Sequence, residues 1–256
     1  MTSASVGFHC PECTKSGAQR VLRPGDLVAK PTLVYAIIGL CVVTYMGQVV
    51  TGEGNWRAGW IANDGFLFGP AVRDGELWRI VTSGFLHGGL IHLAVNMYAL
   101  FIFGPEIQKA VGIGRAALIY AGGLFGGSAA VLLFDWNQAT LGASGAVLGL
   151  AGGLTGILFA RGVNITQTPL FRIMLFNLAL PLFVPIISFW GHFGGVAGGF
   201  AVGAAMAALD KNRRPSSGPI EGPGGPAPAL LVGALIVIGL AALAVAGAQL
   251  ALDPIL

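Results

Sequence analysis

The chain has 256 residues, of which 55% are hydrophobic and only 10% are charged, and its mean hydropathy is +0.77. This composition is too apolar for an ordinary water-soluble domain and is typical of a polytopic membrane protein. The formal net charge is only +3, which gives no reason to expect a nucleic-acid partner.

Seven apolar stretches have about the length that crosses the ~30 Å hydrocarbon core of a bilayer as a helix. We predict these helices at 32–51, 90–108, 113–134, 143–160, 170–187, 191–209 and 229–251. The fifth contains Pro181 and Pro185, and proline removes a backbone N–H, so we expect this helix to stop near Pro181. The predicted fold class is an all-α polytopic membrane protein.

The composition divides the chain into four parts. Residues 1–30 form a polar or mixed head, 31–210 a block of six predicted helices, 211–228 a linker, and 229–256 the seventh helix. The linker is dense in Pro, Gly and Ser, which is typical of a flexible connection. We therefore expect a six-helix bundle with one added C-terminal transmembrane helix.

The positions of Lys and Arg predict the orientation, because short loops rich in these residues stay in the cytoplasm. With a cytoplasmic N-terminus, three of the 14 basic residues lie outside and the other eleven inside. Outside are Arg57, Arg73 and Arg79; inside are Lys15, Arg20, Arg23, Lys30, Lys109, Arg115, Arg161, Arg172, Lys211, Arg213 and Arg214. We therefore expect a cytoplasmic N-terminus, an extracytoplasmic C-terminus and no cleavable secretory signal before the first helix.

A long segment, about 52–89, separates the first two predicted helices and lies outside in this topology. It contains Trp56, Trp60 and Trp78, and tryptophan prefers the membrane interface. Loops longer than about 15 residues are usually structured or functional, so we expect this segment to lie partly in the outer leaflet surface. An ordinary exposed loop is the alternative.

Glycine recurs about every four residues in the fourth and sixth predicted helices, which gives each helix a face without side chains. The glycines are Gly142, Gly145, Gly149 and Gly153, and Gly191, Gly195, Gly199 and Gly203. We expect these faces to bring two helix backbones close together and to fix the residues at their outer ends. Packing without any function is the alternative interpretation.

Four polar residues lie at one depth, near the outer ends of the even-numbered helices. They are His92 and Asn96 on the second helix, Ser144 on the fourth and His192 on the sixth. Ionisable groups inside a membrane are costly, so each needs a reason. A single histidine here is more often a structural hydrogen-bonding residue, but the clustering favours a functional site.

These side chains are the ones that acyl transfer needs. Ser144 is the candidate nucleophile and His192 its general base, while Asn96 and His92, with the Ser144 backbone N–H, are candidate oxyanion donors. No Asp or Glu lies within the fourth or sixth predicted helix, so we expect a dyad with His192 held by packing. We predict no metal and no cofactor at this site.

Short motifs surround these residues. They are Gly142 to Gly145, His92 to Asn96, Gly191 to Gly195, and, in the outer segment, Trp78 with Arg79 and Phe85 to His87. They resemble, respectively, the Gly-x-Ser-Gly, His-x-x-x-Asn, catalytic-histidine-helix and first-loop motifs of the rhomboid family of intramembrane serine proteases. The resemblance covers about residues 31–210, and the motifs follow one another along the chain in the order and spacing of the family.

The resemblance implies a rhomboid-like six-helix core with a water-filled cavity that opens outward. It implies a serine endopeptidase that cuts transmembrane segments near the outer membrane surface, with substrates entering beside the fifth helix, which Pro181 and Pro185 would loosen. The expected partners are transmembrane protein substrates and membrane lipids, with no nucleic acid and no obligatory soluble partner. The expected location is a bacterial cell membrane, and an organellar membrane is the alternative.

The sequence departs from a common family pattern at Leu148, where many relatives carry an aromatic residue that packs on the histidine ring. This substitution makes the orientation of His192 less assured. We interpret His87 as a loop hydrogen-bonding residue, Arg79 as a partner of loop backbone and Glu106 as a cap at the inner end of the second helix. All three roles are structural.

The head contains His9, Cys10 and Cys13, a single Cys-x-x-Cys pair with one histidine. Structural zinc normally takes four ligands, so the head holds half or three quarters of a site, and we predict no bound metal from it. Residues 4–13 resemble the end of a zinc-binding head found on some bacterial rhomboids. Since the third cysteine, Cys41, lies in the first predicted helix, we expect no disulfide framework.

Two other functions compete with the protease. A rhomboid-fold pseudoprotease would bind transmembrane segments without cutting them, but the chain retains both Ser144 and His192. A transporter or channel would also contain intramembrane histidines and glycine-rich helices, but its polar groups would spread through the membrane depth.

Overall fold

A computed structural model describes the backbone of residues 2–3 and 8–9, and residues 30–52, 54–55, 57, 59–210 and 227–250. The chain forms two compact units, Met1–Lys30 and Pro31–Leu256. In the first unit, strand β1 (Thr2–Ser3) pairs antiparallel with β2 (Phe8–His9). Cys10, Cys13 and most of the predicted linker lie outside the described residues, so the partial metal site and the flexible linker stay predictions.

The described part of the second unit is helical. Its α-helices are α1 (Thr32–Thr51), α2 (Trp60–Asn63), α3 (Gly69–Arg73), α4 (Arg79–Thr82), α5 (Leu90–Val111), α6 (Ile113–Phe134), α7 (Ser144–Ala160), α8 (Pro169–Ala179), α9 (Phe189–Asp210) and α10 (Ala227–Leu250). Short 3-10 helices lie at Ser83–Phe85, Ile165–Gln167 and Leu180–Leu182.

Seven of these helices coincide with the predicted membrane helices. Helices α1, α5, α6, α9 and α10 are long and apolar enough to cross a membrane, and α7 and α8 are shorter apolar helices. The fifth predicted helix ends at Ala179 and continues only as a 3-10 turn that contains Pro181. This confirms that proline ends the helix early, and the chain is an all-α polytopic membrane protein.

Helices α7 and α9 pack backbone against backbone through their glycines. A Cβ atom built on Gly199 would lie only 2.0 Å from the carbonyl oxygen of Gly149, and one built on Gly203 only 2.1 Å from that of Gly153. Any side chain here would overlap the neighbouring backbone, so the predicted close approach of these two helices is confirmed. The contact fixes the register between the start of α7 and the start of α9.

Helix α9 uses a second glycine face against α6, which the sequence analysis did not single out. A Cβ on Gly194 would lie 2.3 Å from the carbonyl oxygen of Gly126, and one on Gly198 would lie 2.2 Å from that of Gly122. At the other end of this contact, Arg115 of α6 forms a two-point ion pair with Asp210 of α9, with N–O distances of 2.8 and 3.1 Å. Helix α9 is therefore held on two sides.

The segment between α1 and α5 is folded around a buried arginine. Arg79 donates to the backbone carbonyls of Asn63 at 2.8 Å and Phe66 at 3.0 Å, and it pairs with the carboxylate of Glu76. The Trp60 and Trp78 side chains remain largely exposed on this segment. The predicted contact of Arg79 with loop backbone is thus confirmed, while embedding in the outer leaflet stays a prediction.

The added helix α10 packs on the six-helix core in this structure. Its small residues Ala229, Ala244 and Ala248 are fully buried, and it contacts α6 and α9. Near its C-terminal end, the Gln249 side-chain amide donates to the backbone carbonyl of Arg73 at 3.3 Å. The seventh helix therefore contacts both the core and the folded segment between α1 and α5.

Candidate active site

Ser144 and His192 meet where α7 and α9 begin. Ser144 is the first residue of α7, His192 lies in the first turn of α9, and the serine Oγ is 2.9 Å from Nε2 of the histidine. This is within hydrogen-bonding distance. The glycine contact places the two residues there, because Gly145 packs against the carbonyl of Gly191, next to His192 in the chain.

The other nitrogen of His192 is held by a backbone carbonyl. Nδ1 lies 3.1 Å from the carbonyl oxygen of Asn177 in α8. A carbonyl only accepts hydrogen bonds, so Nδ1 carries the proton and Nε2 presents its lone pair to Ser144. This is the tautomer that a base needs in order to accept the proton from the serine hydroxyl.

The Asn177 carbonyl is available because the residue one helical turn later is a proline. In an α-helix the carbonyl of residue 177 would accept from the N–H of residue 181. Residue 181 is Pro181, which has no N–H, so the Asn177 carbonyl has no helical donor there. The sequence predicts that packing alone holds His192. This contact was not predictable from the sequence, because every residue type offers a backbone carbonyl.

An aliphatic cluster surrounds Leu148, the position where the sequence departs from the common family pattern. Leu148 is buried, lines the cavity beside the dyad and clusters with Met174 of α8 and Val196 of α9. Leu148 and His192 thus line the same cavity, and the direction of the histidine ring is given by the Asn177 carbonyl.

His92 presents the opposite tautomer at the start of α5. Its Nδ1 accepts from the backbone N–H of Gly88 at 3.1 Å, so in the neutral ring Nε2 carries the proton. A Cβ atom on Gly142 would lie 3.0 Å from this Nε2, and the φ of Gly142 is +131°, so only glycine suits the position. Gly142 precedes Ser144 by two residues, so the N–H of His92 lies beside the serine turn.

Asn96 lies one helical turn after His92 and is buried, with 5% of its surface exposed. Its Nδ2 donates to the backbone carbonyl of His92 at 2.9 Å. An amide nitrogen carries two N–H bonds, so one donor remains for another acceptor.

One cavity of about 140 Å³ brings the predicted residues together. His92, Asn96, Ser144 and His192 all line it, and Asn177 lies in the same wall. The rest of its lining is mostly apolar and comes from α5, α7, α8 and the segment between α8 and α9. Four polar groups from three helices therefore face one apolar space, as the shared depth of these residues predicts.

His87 lies in the turn before α5, next to the ring of His92 and outside the membrane-spanning helices. It is fully buried, its Nδ1 donates to the carbonyl of Phe85 at 3.2 Å, and its ring lies edge-to-face with the His92 ring at 5.3 Å between centroids. Burial, and secondarily the neighbouring His92, lowers the pKa of His87 to about 4. His87 is therefore neutral at pH 7.

Comparison with known proteins gives a consistent assignment. A family model described as a rhomboid domain matches residues 74–209, more than half of the chain. The chain is 33% identical to the rhomboid protease GluP of Bacillus subtilis over 184 residues, which is 69% of this chain and 35% of that protein.

Two further relatives cover a smaller part of this chain. RHOMBOID-like protein 6, mitochondrial, of Arabidopsis thaliana is 37% identical over 138 residues, 52% of this chain and 44% of the relative. The putative rhomboid protease YdcA of Bacillus subtilis is 30% identical over 147 residues, 56% of this chain and 73% of the relative. The chain thus spans less than half the length of the plant protein and of GluP. It belongs to the rhomboid family of multi-pass membrane proteins.

Proposed function

We propose that this protein is an intramembrane serine endopeptidase that cleaves transmembrane segments of membrane proteins near the outer membrane surface. The observation that carries the proposal is the 2.9 Å contact between Ser144 Oγ and His192 Nε2, with Nδ1 of the same ring bonded to the Asn177 carbonyl. This is the arrangement of an activated nucleophile, a base and a group that orients the base.

In the first step, His192 Nε2 accepts the proton of Ser144 as Oγ attacks the scissile carbonyl carbon. The carbonyl oxygen becomes an oxyanion. His92 Nε2–H and the second N–H of Asn96 are the proposed side-chain donors to it. The backbone N–H of Ser144 is a third, because it belongs to the first turn of α7 and has no intrahelical partner there.

The tetrahedral intermediate then collapses. The C–N bond breaks, and the imidazolium of His192 gives its proton to the leaving amine. A water molecule next gives a proton to His192 and attacks the acyl-enzyme, which releases the acid and regenerates Ser144. The imidazolium in both steps is stabilised by the hydrogen bond from Nδ1–H to the Asn177 carbonyl.

The shape of the cavity supports a transmembrane segment as substrate. Apolar side chains from α5 and α8, including Val95, Phe103 and Ile173, line it beside the four polar groups. An apolar chain brought between these helices would meet the dyad without crossing a polar surface. We propose a cell membrane location with the N-terminus cytoplasmic and the site near the outer surface, because the basic residues predict that orientation.

The experiment is cleavage of a panel of tagged model transmembrane substrates by the purified protein in liposomes, beside Ser144→Ala and His192→Ala. We expect product from the wild-type protein alone. Labelling with a serine-directed fluorophosphonate separates an unsuitable substrate from an inactive protein. A folded wild-type protein that neither cleaves nor labels would instead support the pseudoprotease, which binds without cutting.

A further inference from the structure

The peptide group between His87 and Gly88 connects α1 to the ring of His92. Its carbonyl oxygen, on His87, accepts from Nε2 of Gln48 at 3.2 Å. Its N–H, on Gly88, donates to Nδ1 of His92 at 3.1 Å. The two atoms lie on opposite edges of one planar unit, so whatever fixes the oxygen also fixes the direction of the N–H.

Gln48 holds the backbone of His87 at two points, through this peptide group and through the peptide group before it. Besides donating to the His87 carbonyl, its Oε1 accepts the backbone N–H of His87 at 3.0 Å. The side chain of Gln48 is fully buried, and it lies on α1, before the region that the rhomboid family model matches. Breaking either bond would leave a buried polar group without its partner, which is costly away from water.

The Gly88 N–H determines what His92 offers to the cavity. Because it donates to Nδ1, the proton of the neutral His92 ring lies on Nε2, beside Gly142. If this N–H turned away, the ring would be able to hold its proton on Nδ1 or rotate about its side-chain bonds. In either case the site would lose one directed donor.

We propose that Gln48 is a positioning residue of the reaction, acting on His92 through the peptide group between His87 and Gly88. The inference rests on the proposed function, in which His92 donates to the oxyanion. It assigns to the first membrane helix a part in catalysis that its sequence does not reveal, since Gln48 is not among the residues that line the cavity.

The test variant is Gln48→Met, which keeps the length of the side chain and removes both hydrogen bonds. We expect kcat on a model transmembrane substrate to fall on the order of tenfold to a hundredfold with KM changed less than about threefold, as for a slightly misplaced group. Gln108→Met is the matched control. Gln108 is also a buried glutamine that bonds α1, through the backbone N–H of Val34 at 3.3 Å, but at the other end of that helix.

A double-mutant cycle with His92→Ala separates positioning from a general loss of structure. If Gln48 acts through His92, Gln48→Met has less than about a twofold further effect on the fluorophosphonate labelling rate once His92 is gone. An equal loss in both backgrounds would overturn the proposal, as would a kcat within twofold of wild type for Gln48→Met. Gln108→Met is expected to keep wild-type kcat, and a matching loss there would also overturn it.

A second variant covers the case in which Gln48→Met fails to fold. Incorporating glycolic acid in place of Gly88 replaces its N–H by oxygen and leaves every side chain in place. We expect the same fall in kcat and the same non-additivity with His92→Ala; unchanged turnover would overturn the proposal. Failure of the proposed function itself is recognised separately, because the folded wild-type protein would then neither cleave substrate nor label with the fluorophosphonate.

Discussion

The two groups that hold His192 come from very different parts of the molecule. Ser144 reaches it from α7, whose backbone touches that of α9 through glycines. The Asn177 carbonyl reaches it from α8, a helix of 11 residues whose buried residue is Met174 and whose Phe176 is 66% exposed. One partner of the histidine is therefore held by backbone contact and the other by a lightly packed helix.

This difference separates two properties of the site, the spacing between Ser144 and His192 and the orientation of the His192 ring. The spacing between Ser144 and His192 depends on the α7–α9 contact, in which the two backbones already touch. The direction of the imidazole depends on α8, which also forms a wall of the cavity through Leu170 and Ile173. A displacement of α8 would therefore change the orientation of the His192 ring and leave the Ser144–His192 spacing intact.

The largest effect should come from breaking the rigid contact. In Gly199→Ala the new methyl group would lie 2.0 Å from the carbonyl oxygen of Gly149, and a backbone oxygen cannot turn aside as a side chain can. We expect the variant to lose at least about 3 kcal/mol of stability or to fail to fold. We also expect it to lose nearly all labelling of Ser144 by a fluorophosphonate. Thermal unfolding in detergent and the labelling rate measure the two effects.

Gly39→Ala is the matched control for this change. Gly39 lies inside α1, and among the described residues no atom beyond its chain neighbours and its own helix backbone lies within 4 Å of a Cβ built there. Alanine is the better helix former by about 0.5–1 kcal/mol, so this variant should be as stable as wild type or slightly more so. Equal behaviour of the two variants would mean that the α7–α9 contact is not tight.

The next effect tests whether α8 must move away from α5. Phe103 of α5 and Ile173 of α8 both line the cavity. With cysteines at these positions, in a chain whose native cysteines are replaced by alanine, a bifunctional maleimide should join the helices. We expect cleavage of transmembrane substrates to fall on the order of a hundredfold, while a small fluorophosphonate still labels Ser144.

The uncrosslinked double-cysteine protein is the control for this experiment. It carries the same substitutions, so any loss that it shows belongs to them and not to the bridge. Full cleavage of transmembrane substrates by the bridged protein would remove the idea that they enter between α5 and α8.

A smaller effect is expected at His87, in the buried turn before α5. Its pKa in the folded protein is about 4, below the ordinary value of 6.5, so the unfolded chain binds the proton more strongly. The stability that this difference contributes is present above pH 6.5 and is lost as the pH falls toward 4. Between pH 7 and pH 5 the wild-type protein should lose about 2 kcal/mol through this group.

His87→Asn is the comparison, since an asparagine amide retains a donor for the Phe85 carbonyl and does not titrate. Reversible unfolding in mixed micelles at pH 7 and pH 5 measures both proteins. The loss on acidification should be smaller in the variant by about the same 2 kcal/mol. Equal losses would show that His87 takes up its proton in the folded protein as easily as in the unfolded chain.

Much of this architecture follows from the sequence, because apolar length, proline and glycine spacing act locally. The helix bounds at 32–51 and 113–134 agree with the structure, and the shared depth of Ser144 and His192 anticipates their meeting. The supports of the two histidines were not predictable. The Asn177 carbonyl and the Gly88 N–H are backbone groups, present at almost every position, and only the folded chain shows which of them face a ring.

Pro181 can be read from the sequence as the end of α8, and the structure shows that it also leaves the Asn177 carbonyl without a helical donor. Its replacement has the smallest effect that we expect. Pro181→Ala restores an N–H one turn after Asn177, where it can donate to the same carbonyl that accepts from His192. The two donors would then compete, and we expect kcat to fall about tenfold, equivalent to about 1.4 kcal/mol in the barrier. KM should change little, since the cavity wall stays in place.

Pro185→Ala is the matched control, because Pro185 follows the 3-10 turn and lies eight positions beyond Asn177, too far along the chain to donate to its carbonyl within the helix. Steady-state cleavage in liposomes compares the two variants with the wild-type protein. If turnover depends on how loosely α8 is packed, both proline variants should change turnover alike. The orientation of His192 would then not depend on Pro181. If only Pro181→Ala slows turnover, the proline that ends α8 is also the residue that makes its carbonyl available to the base.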